Sequence, residues 1–158
     1  MTDQLDGGHG LVVVGVDTSE GARVALRFAI GEARLRHAKL RVIHAWQFDS
    51  YLGFSGFQGF LPAGADLSEL RCAAESALDA LLDEIAPDPD GVVVERRVVE
   101  GAPAAVLVEE SRNADLLVVG SRGLGGFAGL LLGSVSHQSA QHAACPVVIV
   151  RAPDREDR

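Results

Sequence analysis

A single lysine, Lys39, serves the whole chain, and that scarcity removes two kinds of chemistry. It excludes a Walker-type phosphate lysine in any glycine loop and a Schiff-base mechanism elsewhere, which leaves arginine and backbone amides as anion binders. Cysteine is nearly as scarce. Cys72 and Cys145 lie far apart and neither belongs to a C-x-x-C pair, so a disulfide framework and a cysteine-rich zinc module are excluded. A reduced, cytoplasmic setting fits best. Positive charge is short as well: 14 Lys and Arg stand against 22 Asp and Glu, a net charge of -8, which argues against a nucleic-acid binder with a broad basic face. No stretch reaches the ~18 apolar residues that span a bilayer. The first ten residues have neither the basic end nor the apolar core of a secretory signal.

What is present is enough for one compact domain. The 158 residues are 47% hydrophobic, and a chain of this size buries about 68–70% of its unfolded surface, so its core holds without disulfides or a structural metal. Residues 1–9 read as a loose arm, 10–151 as the domain and 152–158 as a charged tail. Five valine-rich runs read as strands: Leu11–Val16, Leu40–Trp46, Val92–Val99, Leu116–Val119 and Val147–Val150. The first, fourth and fifth are almost continuously apolar, as in strands buried on both faces of a parallel sheet. The third carries charges in its middle and suits a sheet edge.

Helical patterns fill the gaps. Ser19–His37 has a capping serine, with Val24, Ala25, Phe28, Glu32 and Leu35 at three- and four-residue steps. Leu67–Ile85 carries the stripe Leu67, Leu70, Ala74, Leu78, Leu81 and Ile85, and ends before Pro87-Asp88-Pro89. A third helix starts at Gly101-Ala102-Pro103 and runs to about Arg112; a fourth starts at Gly133-Ser134 and ends before Cys145-Pro146. Alternating strands and helices predict a single α/β domain with a five-stranded parallel sheet, helices on both faces and right-handed crossovers. Ligands of such sheets sit beyond the carboxyl ends of the strands, where the strand order reverses. The segment Gln47–Asp66 is too long for an ordinary connection and reads as a flap or a surface loop.

The richest chemistry follows the fourth run, where Gly120 to Ser134 includes six glycines and Arg122. Glycines at a strand end let backbone amides approach a phosphate, Arg122 adds a forked donor, and Ser134 opens a helix whose amides favour an anion. A flexible surface loop with a helix cap has the same composition. The dinucleotide fingerprint G-x-G-x-x-A fits Gly123–Ala128, but the acidic residue it needs ~20 positions later is missing.

A different spacing fits: Gly120, two residues, Gly123, nine residues, Gly133, then Ser134. This G-x2-G-x9-G-S resembles the ATP-binding motif of the universal stress protein family. The resemblance extends through VVVGVDTSEGA, VIHAW, VEGAPAAVLVEES, ADLLVVGSRG and CPVVIV, in that order along nearly the whole chain. It implies a flavodoxin-like sheet with ATP across the ends of the first and fourth strands, Asp17 at the nucleoside end, Gly15 leaving room for the ligand, and backbone contacts to adenine from Ala45. Val119, Gly120, Ser121, Arg122, Gly123, Gly133, Ser134 and Val135 would form the phosphate and ribose cradle, with Gly101 a further candidate that also reads as a turn glycine before Pro103. Magnesium would arrive with ATP, held by phosphates and water. The resemblance further implies a homodimer through the last strand.

The remaining candidates read as structural. Asp17, Thr18 and Ser19 also suit a helix cap, His44 suits a packed strand residue, and Asp115 suits a turn or cap. His137 and His142 are five apart, which puts them on different helix faces, and no acidic residue completes a metal set. No catalytic set is visible. The expected role is a nucleotide-dependent regulatory or stress-response module with an unknown protein partner. The alternatives are a slow ATPase and an interaction module without ATP.

Overall fold

The computed structural model describes residues 10–47, 66–86, 91–124, 129 and 131–153. The expected arm, nearly all of the Gln47–Asp66 segment, the Pro87–Pro89 turn and most of the tail lie outside the described residues. Five strands, β1 (Leu11–Val16), β2 (Lys39–Trp46), β3 (Val94–Glu100), β4 (Leu116–Gly120) and β5 (Val147–Val150), alternate with four helices. These are α1 (Glu20–Leu35), α2 (Leu67–Ile85), α3 (Pro103–Glu110), continued by a 3-10 turn at Ser111–Asn113, and α4 (Ser134–His142). The sheet order is β3-β2-β1-β4-β5 and every pairing is parallel. The chain therefore winds outward from β1 to β3, returns to β4 and winds the other way. The switch point lies between β1 and β4.

Alternation along β1 explains the continuous valine run. Val12, Val14 and Val16 join α1 and α2 in one core layer, whereas Val13 joins Ile43, Leu107, Leu117 and Val119 in the other. A strand covered on both faces needs apolar residues at every position. At the β3 edge the expected charges have partners. Arg41 on β2 bonds Glu95 of β3 at 3.0 Å and Glu110 of α3 at 2.9 Å, and Arg97 also reaches Glu110. On the opposite face Arg96 pairs with Asp79 of α2. Among the described residues, no helix is long and apolar enough to cross a membrane.

The stripe expected on α1 is corrected. Phe28 is 39% and Leu35 78% exposed, and the buried face is Ala22, Ala25, Leu26, Ala29 and Ala33. Both sets obey helical spacing. Alanine, with nothing beyond Cβ, lets the helix axis lie close to β1 and β4, and that closeness selects the alanine face. Leu67, expected on the α2 stripe, is likewise exposed in the first turn, while Leu70, Ala74, Leu78 and Leu81 are buried as expected.

Helix α1 begins and ends with side-chain and main-chain caps. Ser19 is the N-cap and its hydroxyl accepts the Ala22 amide at 3.2 Å. At the other end Ala38 N donates to Ala33 O at 2.9 Å and His37 N to Arg34 O at 3.2 Å, the paired bonds of a Schellman turn. This turn holds His37 at φ +52°, a conformation that costs a residue with a Cβ roughly 1–2 kcal/mol. His37→Gly is therefore expected to stabilise the fold by about 1 kcal/mol and raise Tm by roughly 2–4 °C. Thermal unfolding checks this, and an unchanged or lowered Tm contradicts it.

Candidate functional site

The carboxyl ends of β1 and β4 form the two lips of the switch-point crevice. From β1, the chain leaves through Asp17, whose Oδ1 accepts the Ser19 amide at 2.9 Å and also the Ser19 hydroxyl. Its other oxygen, Oδ2, accepts the Leu124 amide at 3.2 Å, across 107 residues of chain. Asp17 thus supports the α1 cap and also ties the end of β1 to the glycine loop after β4. One carboxylate does both because its two oxygens face different partners.

Glycines set how closely these lips approach. A Cβ on Gly120 would lie 3.0 Å from the backbone of Gly21, and one on Gly21 would lie 2.7 Å from Arg122 O. The first turn of α1 and the end of β4 therefore cross backbone to backbone. Gly21 was not among the residues expected at the site. The signal in the sequence was a glycine just inside a helix start, where it costs roughly 1 kcal/mol of helix propensity and so asks for another reason. A Cβ on Gly123 would meet Asp17 Oδ2 at 2.7 Å.

The start of α4 folds back onto the same loop. Gly133 N donates to Ser121 O at 2.7 Å, and a Cβ there would sit 3.4 Å from the Arg122 Cα. Ser136, 1% exposed, places its hydroxyl 2.8 Å from Ser121 O and 3.0 Å from Gly133 O. Ser121, itself buried, donates its amide to Val150 O at 2.8 Å. The loop is thus pinned to β5 and to α4 at one residue, Ser121. Ser136 was also missed, and a lone serine inside a helix gives no sequence signal for such a bond. With glycine as its N-cap, α4 has no capping side chain, so the first amides of the helix have no partner within it.

The structure gathers Asp17, Gly120, Ser121, Arg122, Gly123, Gly133 and Ser134 around the switch point, with Ala45 at the end of the adjoining strand. Val119 is buried in the core and offers only its backbone; Val135 packs beside the same layer. Gly15 faces elsewhere: a Cβ there would meet Leu107 Cδ1 at 2.4 Å, so the space beside it is filled by α3. Gly101, at φ +150°, donates its amide to Trp46 O at 2.8 Å and serves the turn after β3. Asp115 accepts the Leu11 amide at 2.7 Å, capping β1 at the opposite end of the sheet. Burial pushes the Cys145 thiol up from its ordinary range, which disfavours a reactive thiolate.

The order β3-β2-β1-β4-β5 with all-parallel pairing and the switch point between β1 and β4 define a doubly wound α/β protein with a Rossmann-like sheet. The chain belongs to the universal stress protein family: the family's model matches residues 10–151. It is 39% identical over 140 residues to universal stress protein Rv2623 of Mycobacterium tuberculosis, covering 89% of this chain and 44% of that protein. This chain thus spans less than half the length of that curated relative. A universal stress protein solved in complex with cAMP is 31% identical with a TM-score of 0.64, over 90% of this chain and 97% of that one. One from Archaeoglobus fulgidus in complex with dAMP, 24% identical with a TM-score of 0.61 over 89% and 97%, shares the fold.

Proposed function

We propose that this chain binds an adenine nucleotide, ATP, in the β1–β4 crevice and acts as a nucleotide-dependent regulatory module of the stress response. The observation that carries the reading is the joint of Asp17 to the Leu124 amide across the crevice. It sets a carboxylate at the nucleoside end beside a loop kept bare by Gly120, Gly123 and Gly133. The fit is physical: at Gly123 and Gly133 a side chain would crowd Asp17 or the Arg122 backbone, so the glycines let the loop close on Asp17 and on the start of α4, which brings backbone amides of the loop and of the helix start together for a phosphate. The uncapped start of α4 and Arg122 supply amide donors and charge for the phosphates. Ala45 would meet adenine through its backbone, where a methyl side chain does not interfere. Solved relatives that hold cAMP and dAMP support an adenine nucleotide as the ligand. Magnesium would be carried by the phosphates and water.

The same proposal includes a homodimer through β5. This strand lies at the edge of the sheet, and its four apolar residues are each only partly buried, so a second copy would pair the free edge and cover them. Native mass spectrometry of protein purified without added nucleotide reads both features. The expected spectrum is a dimer carrying adenine nucleotide; an apo species that stays apo after ATP is added overturns the ligand, and a monomer at micromolar concentration overturns the pairing.

A further inference from the structure

The ring of His44 occupies a place where the fold asks for hydrocarbon. It follows Leu40 and Val42 on the face of β2 that packs under α1 and α2, with Val16 and Val98 its neighbours on β1 and β3. It is 7% exposed. Its Nδ1 lies 3.0 Å from Val16 O, and because a carbonyl only accepts, Nδ1 carries the proton. Nε2 is then a buried lone pair, and it has no hydrogen-bond partner among the described residues. An orphaned polar atom is a cost that leucine would avoid. The contribution of the imidazole to this layer therefore lies in its bond to Val16.

That bond sits at the last pair of the β1–β2 ladder, Val16 with His44. Val16 directly precedes Asp17, and His44 directly precedes Ala45. We propose that His44 is a positioning residue: by holding the Val16 carbonyl it fixes the peptide that aims Asp17 and sets the spacing between Asp17 and Ala45 at the nucleoside end. The ligand part of this inference rests on the nucleotide reading above; the geometric part does not. The path runs from the His44 ring through the Val16–Asp17 peptide to the Asp17 carboxylate and on to the Leu124 amide, so a side chain buried in the core acts on the glycine loop without touching the ligand.

Two substitutions separate positioning from packing. Leucine keeps the apolar volume and removes the donor, while asparagine is smaller but keeps a side-chain N–H where Nδ1 stands. In His44→Leu the Leu124 amide resonance is expected to move toward that of an unbonded amide in the ligand-free protein, and ATP affinity to fall about tenfold. His44→Asn is expected to restore both toward the parent even though its Tm falls below that of His44→Leu. Affinity and stability then rank the two variants in opposite orders, which a purely structural histidine would not produce. A ring that lacks the Nδ1 proton and carries it on Nε2 in long-range 15N–1H spectra, or an unshifted Leu124 amide in His44→Leu, overturns the positioning. If the parent binds no ATP, the nucleotide reading falls while the ring and amide spectra still decide the role of His44.

Discussion

Gly123→Val combined with Ser134→Ala is expected to weaken ATP binding by on the order of 100-fold, roughly 3 kcal/mol, with the fold intact. Gly123 is exposed and its backbone requires no left-handed conformation, so the sheet tolerates a side chain there. The crevice does not. Even a single Cβ at Gly123 reaches 2.7 Å from Asp17 Oδ2, and the two branches of valine would drive the carboxylate from the Leu124 amide or push the loop away from β1. Either movement separates the nucleoside end from the phosphate end. Ser134 is exposed at the first position of α4, and its loss removes a hydroxyl donor without opening the core. Isothermal titration calorimetry with ATP checks the pair, with circular dichroism as the folding control. Parent-like affinity in a folded variant would remove the glycine loop from the site.

A second large effect concerns stability and joins residues 15 and 107. Leu107 is buried and lies in the layer formed with Val13, Ile43, Leu117 and Val119, where truncation to alanine costs about 2–5 kcal/mol. Gly15→Ala is expected to cost about 1–3 kcal/mol by overpacking, because its Cβ would meet Leu107 Cδ1 at 2.4 Å and Cδ2 at 3.0 Å. In the double variant the new methyl enters the space that leucine has left. The two losses should therefore add to less than their sum, by roughly 1 kcal/mol or more, in a denaturant-unfolding cycle. Strict additivity would mean that Leu107 does not fill the notch at Gly15. The cycle also separates a packing use of this glycine from a ligand-binding one, since ATP affinity is not needed to see the coupling.

The two kinds of glycine show how far a single sequence can be read. Gly120, Gly123 and Gly133 stood out as candidates because they fall in one segment with a serine at fixed spacing, a local pattern next to a strand end, but their close approaches to Gly21, Asp17 and the Arg122 backbone appear only in the fold. Gly21 and Gly15 were not legible in their actual roles. Each is explained by a residue about a hundred positions away, Arg122 for the first and Leu107 for the second, and no local pattern encodes such a distance. Asp17 stood between these cases. Its helix-capping bond to Ser19 follows from adjacency, whereas its bond to Leu124 exists only once β1 and β4 are neighbours.

By itself the sequence determined the alternation of strands and helices, the burial of β1 and β4 on both faces, and the place of the charged third strand at an edge. These follow from periodicity and solvation, which act on each segment separately. The same continuous apolar run in β5 was expected to be buried on both faces and instead lies at the other edge, only partly buried. Tertiary structure decided which of two apolar stripes on α1 meets the sheet, and that Arg41 would join Glu95 to Glu110 across two elements. It also decided that a buried histidine would hold the peptide before Asp17. Those outcomes depend on how closely two surfaces approach, and that distance is set jointly by side chains far apart in the chain.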